Sequence, residues 1–465
     1  MRTATRRLCV SFAVFVGATS GEIQQASAAD SHVTPQLRGY VNNVDRLTRQ
    51  ILRTEMRFQA FNLRFRLGTA NQSRTKRWRY FAFQEAALEL ALGNMISAVS
   101  YRGENLNNPR ELKSGPQAWG TMFPLFLSFA SSGTGDSIEL LANAKHYLAC
   151  RRRGTSPGQS RAQASKLVAQ IDKLMAERDA TIKQEPAAEA ATAKLEDLEG
   201  KLLHDFRDLS VSEFIGFHKS MARESVTENC FYGLDLAKAS IGCTWTGLDM
   251  HLMLDNRPRV DTAVGALDLI NAALVVVDPV IAHSTGAAAA AIDGRRLVKA
   301  GLSARPCSML QLQTDYKNLL EFLSVSDAAG NAEIVAAIDR TEAYEINNKY
   351  YIARMESSAE TLSETRRAIV DHLKWGAFIG TSKMPLGVLS TVSGSKFPGR
   401  DGIFNSYYFA GSMAYIPAMT LAIADSWRKQ LRSEKLYRQL KTENKLPGQI
   451  LQNRIEILER LQTAM

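Results

Sequence analysis

Strand signals, catalytic signatures and, over two long stretches, charge are what this chain has least of. β-Branched runs are few, and "LVVV" at 274–277 sits inside Ala-rich helical context, so the expected class is all-α. GxSxG, HExxH, P-loop, GxGxxG and EF-hand spacings are missing. Their absence removes the motif-borne routes to acyl transfer, zinc proteolysis, nucleotide binding and EF-hand calcium. No CxxC or Cys/His spacing suits zinc, and neither metal nor cofactor is expected. An apolar fraction of 45% with 22% charge argues against wholesale disorder. The mean hydropathy of −0.18 argues against a polytopic membrane protein.

The first 28 residues read as a cleaved secretory signal: basic Arg2, Arg6 and Arg7, the short apolar run "LCVSFAVFVG", and the small residues Ala26-Ser27-Ala28. Three Arg and one Glu leave with it, so the net charge falls from +10 to +8. An exported basic chain meets little nucleic acid, and anionic head groups or an acidic partner suit it better. Periplasm or cell envelope is the expected location. Export also places Cys150, Cys230, Cys243 and Cys307 in an oxidising compartment, where Cys230 with Cys243 is the expected disulfide because the loop between them is short.

Five regions follow from composition: the signal at 1–28, an N-terminal helical region at 29–153, a hairpin at 161–210, an Ala/Gly-rich helical region at 211–305, and a C-terminal helical region at 306–465. Val33, Leu37, Tyr40, Val44, Leu47, Ile51, Thr54, Phe58, Phe61 and Phe65 alternate steps of four and three, with only Thr54 outside the apolar series. The spacing predicts a long helix with one buried seam that widens toward Phe65. Ala164, Leu167, Ile171 and Leu174, then Ala191, Leu195, Leu198 and Leu202, predict an antiparallel coiled-coil hairpin.

Residues 114–135 and 402–424 carry no charge, and 375–395 is a third apolar segment. The two long runs reach the length that crosses a hydrocarbon core of about 30 Å, yet both hold Pro, Ser and Gly, so transfer to lipid is only marginally favourable. Buried core, membrane span and conditional insertion all stay open. Asp268, Asp278 and Asp293 interrupt the apolar stretch of 211–305 and oppose a simple lipid-facing span there. "QAWGTMFPLFLSFASSG" at 117–133 and "LKWGAFIGTSKMPLGVLSTVSG" at 373–394 share Trp-Gly, Pro-Leu and Ser-Gly, through an old duplication or through shared composition. Trp119, Phe123, Phe126, Trp375, Phe378, Tyr407, Tyr408 and Trp427 are the candidate contacts to a membrane surface or a helical partner.

Chemistry has thin support. His251 with Asp255, and His204 with Asp208, stand four residues apart and therefore on one helix face, a spacing that orients an imidazole for acid–base work. Structural histidines at such spacing are commoner than catalytic ones. The expected protein is an exported, helical, envelope-associated binding, scaffold or transport-assembly component, with homo-oligomerisation open and enzymatic activity not expected. Two other readings stand beside it: a soluble periplasmic enzyme with a His/carboxylate site, and a pore-forming or translocator-like helical protein.

Overall fold

The computed structural model describes residues 35–69, 74–104, 115–184, 190–255, 258–326, 331–398 and 401–464. The signal segment and Val33 lie outside the described residues, as do the side chains of Leu37, Trp119 and Asp255. Among the described residues there are eleven helices and no strand: α1 Pro35–Thr69, α2 Arg74–Glu104, α3 Gly115–Arg152, α4 Pro157–Gln184, α5 Ala190–Asp255, α6 Pro258–Lys299, α7 Met309–Val325, α8 Ala332–Asp339, α9 Thr341–Lys396, α10 Asp401–Thr442 and α11 Pro447–Ala464. The 66 residues of α5 reach about 100 Å and the 56 of α9 about 84 Å at 1.5 Å per residue. Both therefore run through two differently built halves.

The first half, the base bundle, is a conventional apolar core made by α1, α4, α7, α8, α11, the first third of α5, the start of α9 and the end of α6. Along α1 the heptad seam is buried as its spacing predicts: Tyr40, Val44, Leu47, Ile51, Thr54, Phe58 and Phe65 are all under 5% exposed. Its ring-bearing end meets Phe214, which lies 5.7, 6.3 and 6.1 Å from Phe58, Phe61 and Phe65 between centroids. Ala164, Ile171, Leu195, Leu198 and Leu202 are buried in that same core, with Leu167 and Leu174 packed at its edge. The heptads of α4 and α5 thus close onto α1 and its neighbours, within a larger bundle.

Local chemistry sets several element ends. Asn331 caps α8 by accepting from the N–H groups of Glu333 and Ile334, and Ser308 caps α7 by accepting from Gln311. Gly301, at φ +79°, ends α6 in the left-handed turn that lets Leu302 N–H reach the Leu297 carbonyl.

Buried acids make the base bundle sensitive to pH. Glu55 on α1 is fully buried beside Gln59 and Tyr351, and burial lifts its carboxyl to about 8. Glu333 on α8 keeps both carboxylate oxygens buried and, among the described residues, without a hydrogen-bond partner. Burial first, and then the nearby Glu196 and Glu199, lift it to about 7. Each acid holds its proton more tightly in the fold than in the unfolded chain. Their stabilisation is therefore complete below the unfolded value of 4.5 and is lost as pH rises through 7 to 8. Denaturant titrations between pH 5 and 8.5 should show a falling midpoint. Glu55→Gln should flatten that slope, and an unchanged slope in this variant would contradict the burial of an ionisable Glu55.

Candidate functional site: an inverted six-helix ring

The second half is a ring. Helix α2 packs on α3, α3 on α5, α5 on α6, α6 on α9, α9 on α10, and α10 returns to α2. Cross-helix contacts fix every neighbour as antiparallel. Gln84 bonds Asp136 while Arg79 bonds Glu139; Lys238 meets Asp278 while His218 meets Asp293; Arg74 pairs with Glu434 while Ser426 reaches Glu85. An even number of up-and-down helices closes such a ring without a parallel pair.

Close approach of α6 to α9 depends on missing side chains. A Cβ on Gly387 would stand 2.6 Å from Leu269 N, one on Gly376 2.8 Å from Pro279 Cγ, and one on Gly265 against Thr391 and Ser390. Small residues that let two helix backbones meet are equally at home in lipid and in tight soluble packing. The ring is filled rather than hollow: Met95, Leu386, Tyr408 and Met419 form one interior cluster, and Met122, Leu125, Trp245 and Val264 form another.

The ring buries ion pairs, as the base bundle does. Asp268 Oδ1 lies 3.0 Å from Lys383 Nζ, with side chains 3% and 8% exposed. Lys383 also donates to Asn271 Oδ1 at 3.1 Å, and its ammonium sits 5.8 Å from the Phe129 ring across the interior. Lys238 is shared by Asp278 and Asp235, each at 2.5 Å. Asn271 Nδ2 donates to the Lys238 carbonyl at 2.9 Å and joins the two pairs. Meanwhile the outer surface carries Ile96 and Leu90 on α2, Phe123 and Leu127 on α3, Ile270 and Val277 on α6, Phe378 and Val388 on α9, and Met413 and Leu421 on α10, all exposed. On α5 the outward positions are Gly233, Ala237, Ser240, Thr244 and Gly247, small and uncharged.

One level around the ring is marked by aromatic and basic side chains. Phe81 packs edge-on to Trp427 at 4.9 Å, Lys429 lies 5.9 Å from the Trp375 ring, and Phe231 packs against His283 and His372. From Phe81, Glu139, Phe231, His283, Trp375 and Trp427 to the far ends of their helices there are roughly 21 to 26 residues, or about 32–39 Å. All six lengths match a hydrocarbon core with its interface. Exposed Lys374, Arg428, Lys429 and Arg432 lie at or just base-ward of this level. Tryptophan beside Lys and Arg is the composition that membrane–water interfaces favour.

Among the described residues one helix, Thr262–Lys299 within α6, is long and apolar enough to cross a membrane by length and composition, and 39% of its apolar window is buried. The other ring helices fall short on composition: the tip-ward runs of α3 and α10 are uncharged but rich in Gly, Ser, Thr, Tyr and Pro, which lower their hydropathy. Asp268 and Asp278, which speak against a lipid-facing span when read along the chain, are turned inward onto lysines.

Of the candidate contact residues, Phe123, Phe378 and Trp427 are exposed, and Phe126, Trp375 and Tyr407 are half-buried on the ring. Tyr408 corrects the expectation. It is 1% exposed and points into the cluster with Leu386 and Met95. The Cys230–Cys243 disulfide is also corrected, because both residues lie on the continuous helix α5. Thirteen residues at 1.5 Å set them about 20 Å apart, beyond the roughly 7 Å Cα limit of a bridge. All four described cysteines are free thiols.

The two candidate histidines lie far from one another on α5. His204 and His251 are both exposed, and their positions on α5 are about 70 Å apart. Asp208 is engaged by Arg207 at 2.6 Å. Among the described residues no group of three or more His, Cys, Asp or Glu is placed to hold a metal ion.

A hydrogen-bonded series that sequence reasoning missed lies where α4, α5 and α6 meet. Ser160 Oγ is 2.9 Å from His218 Nε2, and His218 Nδ1 is 2.9 Å from Asp293 Oδ2, whose other oxygen accepts from Arg161 at 2.8 Å. The order matches a Ser–His–Asp triad. Both Ser160 and His218 are fully buried, and the imidazole is stacked on Phe65 at 5.1 Å. A carbonyl substrate has no access to the hydroxyl, so the series pins three helices together at the base of the ring. Separations of 58 and 75 residues left no local signal for it.

No protein-family model, curated protein or solved structure matches the chain. Its class is therefore defined by its own architecture: an all-α protein in which an apolar-cored base bundle carries a closed up-and-down ring of six helices.

Proposed function

We propose that the protein is an exported envelope component whose six-helix ring is embedded in a bilayer while the base bundle stays in water, acting there as a membrane-anchored scaffold or transport-assembly element. One observation carries this reading: the ring buries Asp268, Asp278 and Lys383, with Lys238 half-buried against Asp278, and exposes Ile270, Val277, Phe378, Met413 and Leu421. In water that arrangement leaves apolar area wet, at a cost of about 25 cal/mol per Å2, while charges are desolvated. In lipid both features become favourable, because the charges are paired away from the acyl chains. The shared depth of the six helices and the Trp/Lys/Arg level around them support the same placement. The uncharged small-residue face of α5 suits a partner helix in the membrane plane.

Co-expressed or refolded with phosphatidylcholine–phosphatidylglycerol vesicles, the full chain should float with the lipid and stay in the pellet after carbonate extraction. Recovery of the chain in the carbonate supernatant would overturn the reading.

A further inference from the structure

Two layers of the ring interior hold ionisable groups that packing does not require, and they are arranged along its axis. Toward the base, Lys238 is held between Asp235 and Asp278, and Asp278 Oδ1 is buried with no hydrogen-bond partner among the described residues. Nearer the tip, Lys383 is held between Asp268 Oδ1 and Asn271 Oδ1, and Asp268 Oδ2 is buried with no hydrogen-bond partner among the described residues. Asp268 and Asp278 are ten residues apart on α6, about 15 Å along its axis.

Further unpaired groups stand around the tip-ward layer. Gly411 of α10 abuts Leu386 of α9, whose neighbour Gly387 abuts Leu269 of α6, and Leu386 packs with Met95 of α2. Residues adjoining these contacts are Ser412, Asp268 and Asn94. The Ser412 hydroxyl and both amide atoms of Asn94 are buried and, among the described residues, lack hydrogen-bond partners. Tyr415 of α10 packs against the same Met95–Leu386 cluster. Three helices thus carry unsatisfied polar atoms next to the contacts that surround Asp268. Buried polar atoms are ordinarily satisfied, and ionisable groups inside a membrane bundle ordinarily mark a path for ions or protons.

We propose that these two lysine–carboxylate layers form a proton relay along the ring axis; this rests on the placement of the ring in a bilayer. Lys383 Nζ passes a proton to Asp268 Oδ1: one N–H bond breaks, one O–H bond forms, and the ion pair becomes a neutral amine and acid without change of net charge. The acid then turns its O–H away from Lys383 and gives that proton to water on its unpartnered side; the O–H bond breaks and the carboxylate is restored. The neutral amine of Lys383 regains a proton given up through water by the Lys238 ammonium of the preceding layer: one N–H bond of Lys238 breaks, one forms on Lys383, and Lys238 is reprotonated from water at the base end of the ring. The filled interior, with Trp245, Phe129 and Leu386 in place, excludes a wide aqueous pore. A relay needs none.

The test uses the full chain in phosphatidylcholine–phosphatidylglycerol vesicles loaded with pyranine, with a potassium–valinomycin potential driving protons. Wild type should acidify the lumen faster than protein-free vesicles. Asp268→Asn should lower that rate roughly a hundredfold, as for loss of a proton-transfer group. Lys383→Arg should do the same while still floating with lipid, because arginine keeps the charge and the hydrogen bonds but does not give up its proton. Flotation and helical circular dichroism are read on each sample. Wild type that floats without proton flux, or Lys383→Arg that conducts like wild type, overturns the relay. Wild type that fails to float overturns the bilayer placement itself.

Discussion

Arg340→Ala is expected to destabilise the base bundle by about 3–5 kcal/mol, the range for removing one member of a buried ion pair. Arg340 is 3% exposed at the junction of α8 and α9. Its Nη2 lies 2.7 and 2.9 Å from the two oxygens of Glu199, and its Nη1 bonds Asp45 of α1. The guanidinium is held firmly charged by Glu199, Tyr344 and Asp45 despite its burial. Glu199, 2% exposed, would be left with the Tyr344 hydroxyl at 2.8 Å and a distant Arg178 at 3.8 Å. That is too little to compensate an anion out of water. Neighbouring Glu196 and Glu333 already crowd the same cleft with carboxylates, and the cavity among them, about 10 Å3, has room for about one water. Denaturant titration of the full chain measures the loss. The double variant Arg340→Met with Glu199→Leu should lose less than the two single variants added together, since it strands no charge. Strict additivity would mean that the two residues do not depend on each other.

The base bundle was largely legible in the sequence because its physics is local and periodic. One buried stripe along α1 selects partners with matching stripes, and each of Tyr40, Val44, Leu47, Ile51 and Phe58 reports its own burial through spacing alone. Thr54 obeys the same register although it is polar, by turning its hydroxyl to the Gln50 carbonyl at 2.8 Å. The ring was legible only as a set of apolar tracts. Lys383 and Asp268 are 115 positions apart, and Arg74 and Glu434 are 360 apart. No window of sequence shows that a charge inside an apolar tract will meet its counter-charge. Asp268 and Asp278 therefore read as interruptions, whereas in three dimensions they are turned inward onto Lys383 and Lys238. The same reasoning accounts for Cys230 and Cys243. Proximity along the chain suggested a bridge, and an unbroken helix held them apart.

Ile270→Asp combined with Val277→Asp should abolish stable association of the ring with vesicles. Ile270 is 49% exposed and Val277 41% exposed on α6, so neither change disturbs the interior, and helical content should stay at the wild-type level. Each aspartate near the middle of a span costs about 3 kcal/mol. Together they cost about 6 kcal/mol, on the order of a ten-thousandfold loss in partitioning. Flotation at increasing lipid concentration reads that loss directly. Val298→Asp is the matched control: it lies on the same helix, 64% exposed, base-ward of the His283 level, and should float as wild type does. A protein whose ring lives in water predicts the reverse ordering of concern, since aspartate at exposed apolar positions would only raise its solubility and leave every other property alone. Equal flotation of all three proteins would show that lipid does not touch this face of α6. The outward apolar residues would then have to be covered by protein instead.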